Sequence, residues 1–176
     1  DGLYGPTETV IIADDTASPA YCAADLLAQA EHDPQASAIL VTTSLSFIEK
    51  VEGELDRQIA SLDRIDQAAI SLDRQGKVII VDSLEEALDL ANEIAPEHLC
   101  LAIKEPWAWA GKVKHAGGVF LGHFSPEVMG DYVAGPSHTM PTGGTAKFNS
   151  YLGVQQFLKT IPVVGIRNED VEALAE

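Results

Sequence analysis

Thr9-Val-Ile-Ile-Ala13 is the stretch whose reading decides the fold. Four of its five residues are β-branched, and the run is apolar throughout rather than alternating, as expected of a strand covered on both faces. Asp14-Asp15 closes it as a turn. Ser18-Pro19 then supplies an N-cap and first-turn pair, and Ala23, Leu26, Leu27 and Ala30 form an apolar helix face. This helix is expected to run to about His32, where Asp33-Pro34 stops it.

The same rhythm repeats outward from this unit. Ala38 to Thr42 reads as a second buried strand, and Ser46-Phe-Ile-Glu49 as a capping box opening a helix with Val51, Leu55 and Ile59 on one side. Lys77 to Val81 is a third strand. Ser83-Leu-Glu-Glu86 is a second capping box, leading into Ala87, Leu88, Leu90 and Ala91 and ending at Pro96. Leu99 to Ile103 is a fourth strand, Trp107 to His115 a short helix in which both tryptophans serve packing, and Gly118 to Leu121 a fifth strand. Strands alternating with helical periods specify a parallel α/β sheet flanked by helices. From Gly130 to Gly153 glycines at 130, 135, 143, 144 and 153 interrupt any period, so a Gly-rich loop region is expected there.

Composition narrows the function classes. Eleven Lys and Arg against 27 Asp and Glu give a net charge of −16, which opposes binding to nucleic acid or an anionic membrane surface. No apolar run is long enough to span a bilayer, and the chain is expected to be soluble and cytoplasmic. Cys22 and Cys100 are isolated and read as small buried hydrophobes in a reducing compartment. No GxGxxG or GxxxxGK[ST] pattern is present, so no dinucleotide fingerprint is visible. The start at Asp1, almost directly on a strand, and the acidic stretch after Ile166, with Asn168, Glu169, Asp170, Glu172 and Glu176, which looks like the start of a helix, read as cuts from something longer.

Three groups of residues could carry chemistry. Gln29 and His32 lie three apart and can share a helix face; as a ligand pair they fit a metal, but glutamine is an uncommon ligand, and read alone they favour a solvent-facing Gln29 and a helix-terminal His32. Glu97-His98 sits at a helix-to-strand corner and suits proton transfer, or is a solvated turn. Asp131 and His138 bracket a short loop and suit zinc, or bridge that loop. His115 and His123 read as structural or surface residues. All six candidates fall at ends of elements or in loops, where ligand sites of doubly wound sheets gather. A metal-centred pocket follows as an expectation, with the reaction open.

The residues resemble a known family. Gly5-Pro-Thr-Glu8, Ile11-Ile-Ala-Asp14 and Ala24-Asp-Leu-Leu-Ala-Gln-Ala-Glu-His32-Asp-Pro34 look like the histidinol dehydrogenase signature. Ala95-Pro-Glu-His-Leu99, Gly117-Gly-Val-Phe-Leu-Gly122, Gly130-Asp-Tyr-Val-Ala-Gly-Pro-Ser-His138 and Pro141-Thr-Gly-Gly-Thr-Ala146 continue it in order. Tyr4 and Thr9 depart from the usual small and aliphatic residues. The family's chains are more than twice as long.

The resemblance implies an incomplete Rossmann-like domain over residues 1–150 and the beginning of a C-terminal dimerisation arm over 151–176. It implies zinc- and NAD-dependent oxidation of L-histidinol to L-histidine through an aldehyde, by a homodimer. Gln29, His32 and Asp131 match zinc ligands, a fourth coming from the partner subunit. Glu97 and His98 match the catalytic pair, and Thr7 and His138 match substrate contacts, to which Gln29, His32, His98 and Asp131 also belong. The NAD-contacting residues are expected upstream, which would leave this stretch inactive alone. The alternative is a stand-alone metal or small-molecule binding module without redox activity.

Overall fold

The computed structural model describes residues 4–167 and 170–171. The expected acidic terminal helix lies outside the described residues except at Asp170 and Val171. Strand β1 (Glu8–Ala13) is the middle of a five-stranded sheet, followed by α1 (Pro19–Ala30) and β2 (Ser37–Thr42). Next come α2 (Leu45–Ile59), α3 (Ile65–Gln75), β3 (Lys77–Ile80), α4 (Leu84–Ile94) and β4 (His98–Ala102). A short α5 (Pro106–Ala110), β5 (Gly118–Leu121) and α6 (Glu127–Tyr132) complete the regular elements, with 3-10 turns at Thr145–Lys147 and Val154–Phe157.

The strand order is β3-β2-β1-β4-β5 and every pairing is parallel, so the expected α/β class holds. The chain leaves β1 on one side for β2 and returns on the other as β4, which makes the β1/β4 seam the topological switch point. In that seam Thr9 pairs with His98 and Ile11 with Cys100. Side chains alternate faces along each strand. Ile11, Ala13, Cys100 and Ala102 therefore join Cys22, Ala23 and Leu26 of α1 and Phe47 and Val51 of α2 on one face. Val10, Ile12, Leu99 and Leu101 join Ala87, Leu88 and Ala91 of α4 on the other.

Local caps decide several boundaries. Ser83 caps α4 as expected, its hydroxyl accepting from the Glu86 amide at 3.2 Å, while Glu86 reaches back to the Asp82 amide at 2.8 Å. The α2 cap is Ser44 rather than Ser46: Ser44 has extended backbone and accepts from the Phe47 amide at 3.3 Å, whereas Ser46 already lies inside the helix. Helix α3 has no counterpart in the sequence reading. It buries only Ala68 and Ser71, so its apolar stripe is faint, and it is tied down by the Ser71 hydroxyl donating to the Ala36 carbonyl at 2.9 Å. The helix expected over Trp107 to His115 stops at Ala110. Trp109 packs against the α4-side core, but Trp107 is 79% exposed and packs little. The Gly-rich stretch opens inside α6, so Gly130 and Asp131 are helical rather than loop.

Candidate functional site

Two chain segments meet at the amino-terminal ends of β1 and β4. Helix α4 stops at Ala95, which is buried in a left-handed conformation with φ 54°, and Pro96 follows. A non-glycine residue held there costs on the order of 1 kcal/mol, a strain that fixes the direction in which Glu97 and His98 enter the sheet. Gly117 and Gly118 hold the corner from the other side, donating to the Pro96 carbonyl at 2.9 Å and the Glu97 carbonyl at 2.8 Å. A Cβ on Gly117 would lie 2.6 Å from the Glu97 carbonyl oxygen, so only glycine allows this approach.

A hydrogen-bond relay runs across the seam. Gln29, at the end of α1, donates from Nε2 to Thr7 Oγ1 at 2.6 Å, and Thr7 donates to Glu97 Oε2 at 2.5 Å. The Glu8 amide donates to the same carboxylate oxygen at 3.3 Å. His98 lies beside it, 7% exposed, its ring tilted against Phe120 with centroids 5.8 Å apart. Its Nδ1 is buried without a hydrogen-bond partner. Two carboxylate oxygens approach that nitrogen, Glu97 Oε2 at 3.9 Å and Glu127 Oε2 at 3.8 Å. Glu127, at the start of α6, accepts from Thr9 Oγ1 at 2.8 Å.

Burial dominates the electrostatics. It pushes the His98 imidazole down to about 4, against the charge of Asp131 and the backbone of Glu8, which favour the protonated ring; the charge of His32 adds to the depression. Glu97 is raised by burial and by the charges of Glu8 and Asp131, while the Thr7 hydroxyl and Glu8 amide pull it down. Glu127 is raised to about 8 by burial and by Asp25, Asp131 and Glu97, with Thr9 opposing. Burial thus keeps the imidazole neutral, its lone pair unprotonated, beside carboxyls whose proton affinity is raised. Burial also lifts the Cys22 thiol to about 12 and Cys100 well above its ordinary value, so neither is a nucleophile.

These shifts give stability a pH dependence of known sign. Between its ordinary value of 4.5 and about 8, Glu127 holds a proton in the folded chain that the unfolded chain has lost, so stability falls as pH rises through that window. Asp25, raised to about 6 by burial, acts the same way at lower pH. His98, lowered from 6.5 to about 4, acts oppositely between those two values. From pH 6.5 to 8 the Glu127 effect prevails, and urea unfolding is expected to lose on the order of 1 kcal/mol per pH unit. In Glu127→Gln that slope flattens; an unchanged slope would assign it to other groups.

Of the residues singled out in the sequence, Thr7, Gln29 and Glu97 form one hydrogen-bonded cluster, with His98 packed beside it, its Nδ1 3.9 Å from Glu97. His32 and Asp131 join it through their charges on His98, while His138 lies exposed on the loop after α6, and no described contact ties it to the cluster. Gln29 is 1% exposed, which overturns the reading of it as solvent-facing. Asp131 is carried by a helix, not a loop. His123 is tied to Thr16, its Nε2 3.3 Å from the hydroxyl oxygen.

The edge of the sheet departs from the general rule. Ligands of doubly wound sheets gather outside the carboxyl ends of the strands, but this cluster sits at the amino ends. The carboxyl edge of the same seam is filled: Asp14 accepts from the Lys104 amide at 2.8 Å and from the Thr16 amide at 2.9 Å, and the cavity beside it holds only about 20 Å³. Next to the cluster, by contrast, a cleft of about 350 Å³ is lined by Gly5, Glu8, Gln35, Ser37 and Thr142. Sequence reasoning missed Glu127. Its one signal was Thr9, a lone hydroxyl in an apolar strand that needs a buried partner.

Metal-binding potential follows from the donors present. Among the described residues no group of three or more His, Cys, Asp or Glu is arranged to hold a metal ion. A set drawn from Gln29, His32 and Asp131 contains two of those types plus an amide, and the Gln29 side-chain oxygen stays outside its bond to Thr7. An imidazole and a carboxylate are ordinary zinc donors and an amide oxygen can serve beside them, so the donor chemistry is compatible with a partial site, although no described contact joins the three side chains.

The histidinol dehydrogenase family model matches residues 1–176. Histidinol dehydrogenase of Thermus thermophilus is 54% identical over all of this chain, which spans 42% of that relative; the Deinococcus radiodurans enzyme is 51% identical over 99%, and the chain spans 40% of it. The crystal structure of histidinol dehydrogenase from Elizabethkingia anophelis superposes with a TM-score of 0.89 at 41% identity, over 92% of this chain and 37% of that one. With its fold matched and the family model covering residues 1–176, the chain belongs to the histidinol dehydrogenase family.

Proposed function

We propose that this chain supplies the substrate and metal half of the site in a polypeptide that oxidises L-histidinol to L-histidine in two NAD-linked steps. The observation that carries the reading is the Gln29–Thr7–Glu97 relay beside a buried, neutral His98. His98 takes the proton of the substrate hydroxyl as the alcohol becomes an aldehyde. Glu97 then draws a proton from the water that adds to the aldehyde, giving the hydrate whose oxidation yields the acid. Thr7 and His138 contact the substrate.

Gln29, His32 and Asp131 would hold zinc, with a fourth ligand from a second subunit. Zinc bound there would orient the substrate as a Lewis acid. NAD, when bound, accepts a hydride in each oxidation, and no residue of this chain is assigned to it. Residues 1–150 act as the Rossmann-like site-bearing domain, and 151–176 begin an arm toward the second subunit. In that arm Val154, Phe157, Leu158 and Ile161 are all exposed by two thirds or more, apolar surface that a partner would cover.

Zinc titration of this chain by calorimetry tests the metal half. Weak but measurable binding, lost in His32→Ala and Asp131→Ala, is expected. Absence of binding by the unsubstituted chain, or undiminished binding by either variant, overturns the ligand set. Histidinol-dependent NAD reduction by the polypeptide of full family length tests the reaction, and its absence favours a non-redox binding module.

A further inference from the structure

His98 enters the sheet with one nitrogen unused. Nδ1 is buried and makes no hydrogen bond, a condition that costs on the order of 1–3 kcal/mol unless a partner is close. Two carboxylate oxygens approach it at nearly equal distance, while the Glu8 backbone also faces the ring, and the carboxylates differ in what already holds them. Glu97 Oε2 accepts from both the Thr7 hydroxyl and the Glu8 amide, which pins it to the segment entering β1. Glu127 Oε2 accepts, among the described residues, from Thr9 alone.

Packing brings Glu127 to the ring by a closed circuit. Phe120 of β5 lies against the His98 imidazole, and α6 lies on Phe120 through Gly130, where a Cβ would come within 2.8 Å of the phenyl ring. That close approach lowers α6 onto the sheet and carries Glu127, 5% exposed, behind His98. Closing 3.8 Å to a hydrogen bond of about 2.9 Å takes a movement of about 1 Å.

We propose that Glu127 is the positioning residue for His98: its carboxyl group holds the Nδ1 proton, fixing the ring in the tautomer whose Nε2 lone pair is free for the substrate hydroxyl. The inference rests on His98 being the base of the proposed reaction. A carboxyl group behind an imidazole sets which nitrogen carries the proton, and the wrong tautomer disables a base without moving it. Glu127 touches only the far side of the ring and acts through it.

Imidazole nitrogen shifts of the 15N-labelled 176-residue chain test this without zinc, NAD or histidinol. The wild-type chain is expected to show His98 with Nδ1 protonated. Glu127→Met, which keeps bulk but removes the acceptor, shifts His98 toward the Nε2-protonated form, and Glu127→Gln, which keeps an acceptor oxygen, restores Nδ1–H. Glu97→Gln leaves the tautomer unchanged.

An Nε2-protonated ring in the wild-type chain overturns the proposal even if Glu127→Met fails to fold, as does a tautomer that responds to Glu97→Gln and not to Glu127→Met. In the full-length enzyme Glu127→Met lowers kcat at least ~10-fold with KM unchanged. A polypeptide that never oxidises histidinol would defeat the functional reading while leaving the tautomer result standing.

Discussion

In the complete enzyme, Glu97→Gln is expected to slow oxidation of the aldehyde by on the order of 10²- to 10⁴-fold while slowing oxidation of the alcohol far less. On the role proposed for Glu97, the substitution isolates one step. Glutamine keeps an oxygen to accept from Thr7 Oγ1 and the Glu8 amide, so the relay from Gln29 and the entry of β1 stay in place. What is lost is the ability to take a proton from water, which only the second oxidation requires. Single-turnover measurements begun separately from the alcohol and from the aldehyde distinguish the steps. Equal losses in both would place Glu97 in substrate binding or in a shared proton path.

The largest effect on stability is expected from Leu99→Ala, at about 2–5 kcal/mol. Leu99 is fully buried in β4 between Val10 of β1 and Val119 of β5, on the face packed by Ala87, Leu88 and Ala91. Its neighbours there belong to a parallel sheet and a helix held by their own hydrogen bonds, which limits collapse into the vacated space. Urea unfolding of this chain should show a lower midpoint with an unchanged slope. A loss below about 1 kcal/mol would mean that the α4-side core repacks freely.

Much of this fold was legible because its three central strands, β2, β1 and β4, are buried on both faces. Apolar runs such as Thr9–Ala13 leave no competing period, and Ser83 with Glu86 marks a helix start chemically. Helix α3 was not legible because it is pinned by a serine and an alanine more than by an apolar stripe. For the site, Glu97 and His98 stood out as a pair, and Gln29 was misjudged because polarity predicts exposure until a partner is known. Thr7 supplies that partner, 22 positions away in sequence. Glu127 was hidden for the same reason: a carboxylate opening a six-residue helix is ordinarily a solvated one, and the hydroxyl that keeps it inside belongs to Thr9, 118 residues earlier.

The alternation along β1 has a consequence for how this chain can change over generations. Thr9 and Ile11 look toward the α1 side with His98 and Cys100, while Val10 and Ile12 look toward α4. A substitution alters one occupant of one side. Gain or loss of a single residue within the strand instead exchanges the two sides, sending aliphatic groups among the carboxylates and the Glu127 hydroxyl partner into oil. The seam can therefore drift in side chain but is frozen in length, and inherited insertions belong in the connections, not between Thr7 and Ala13 or between Glu97 and Ala102.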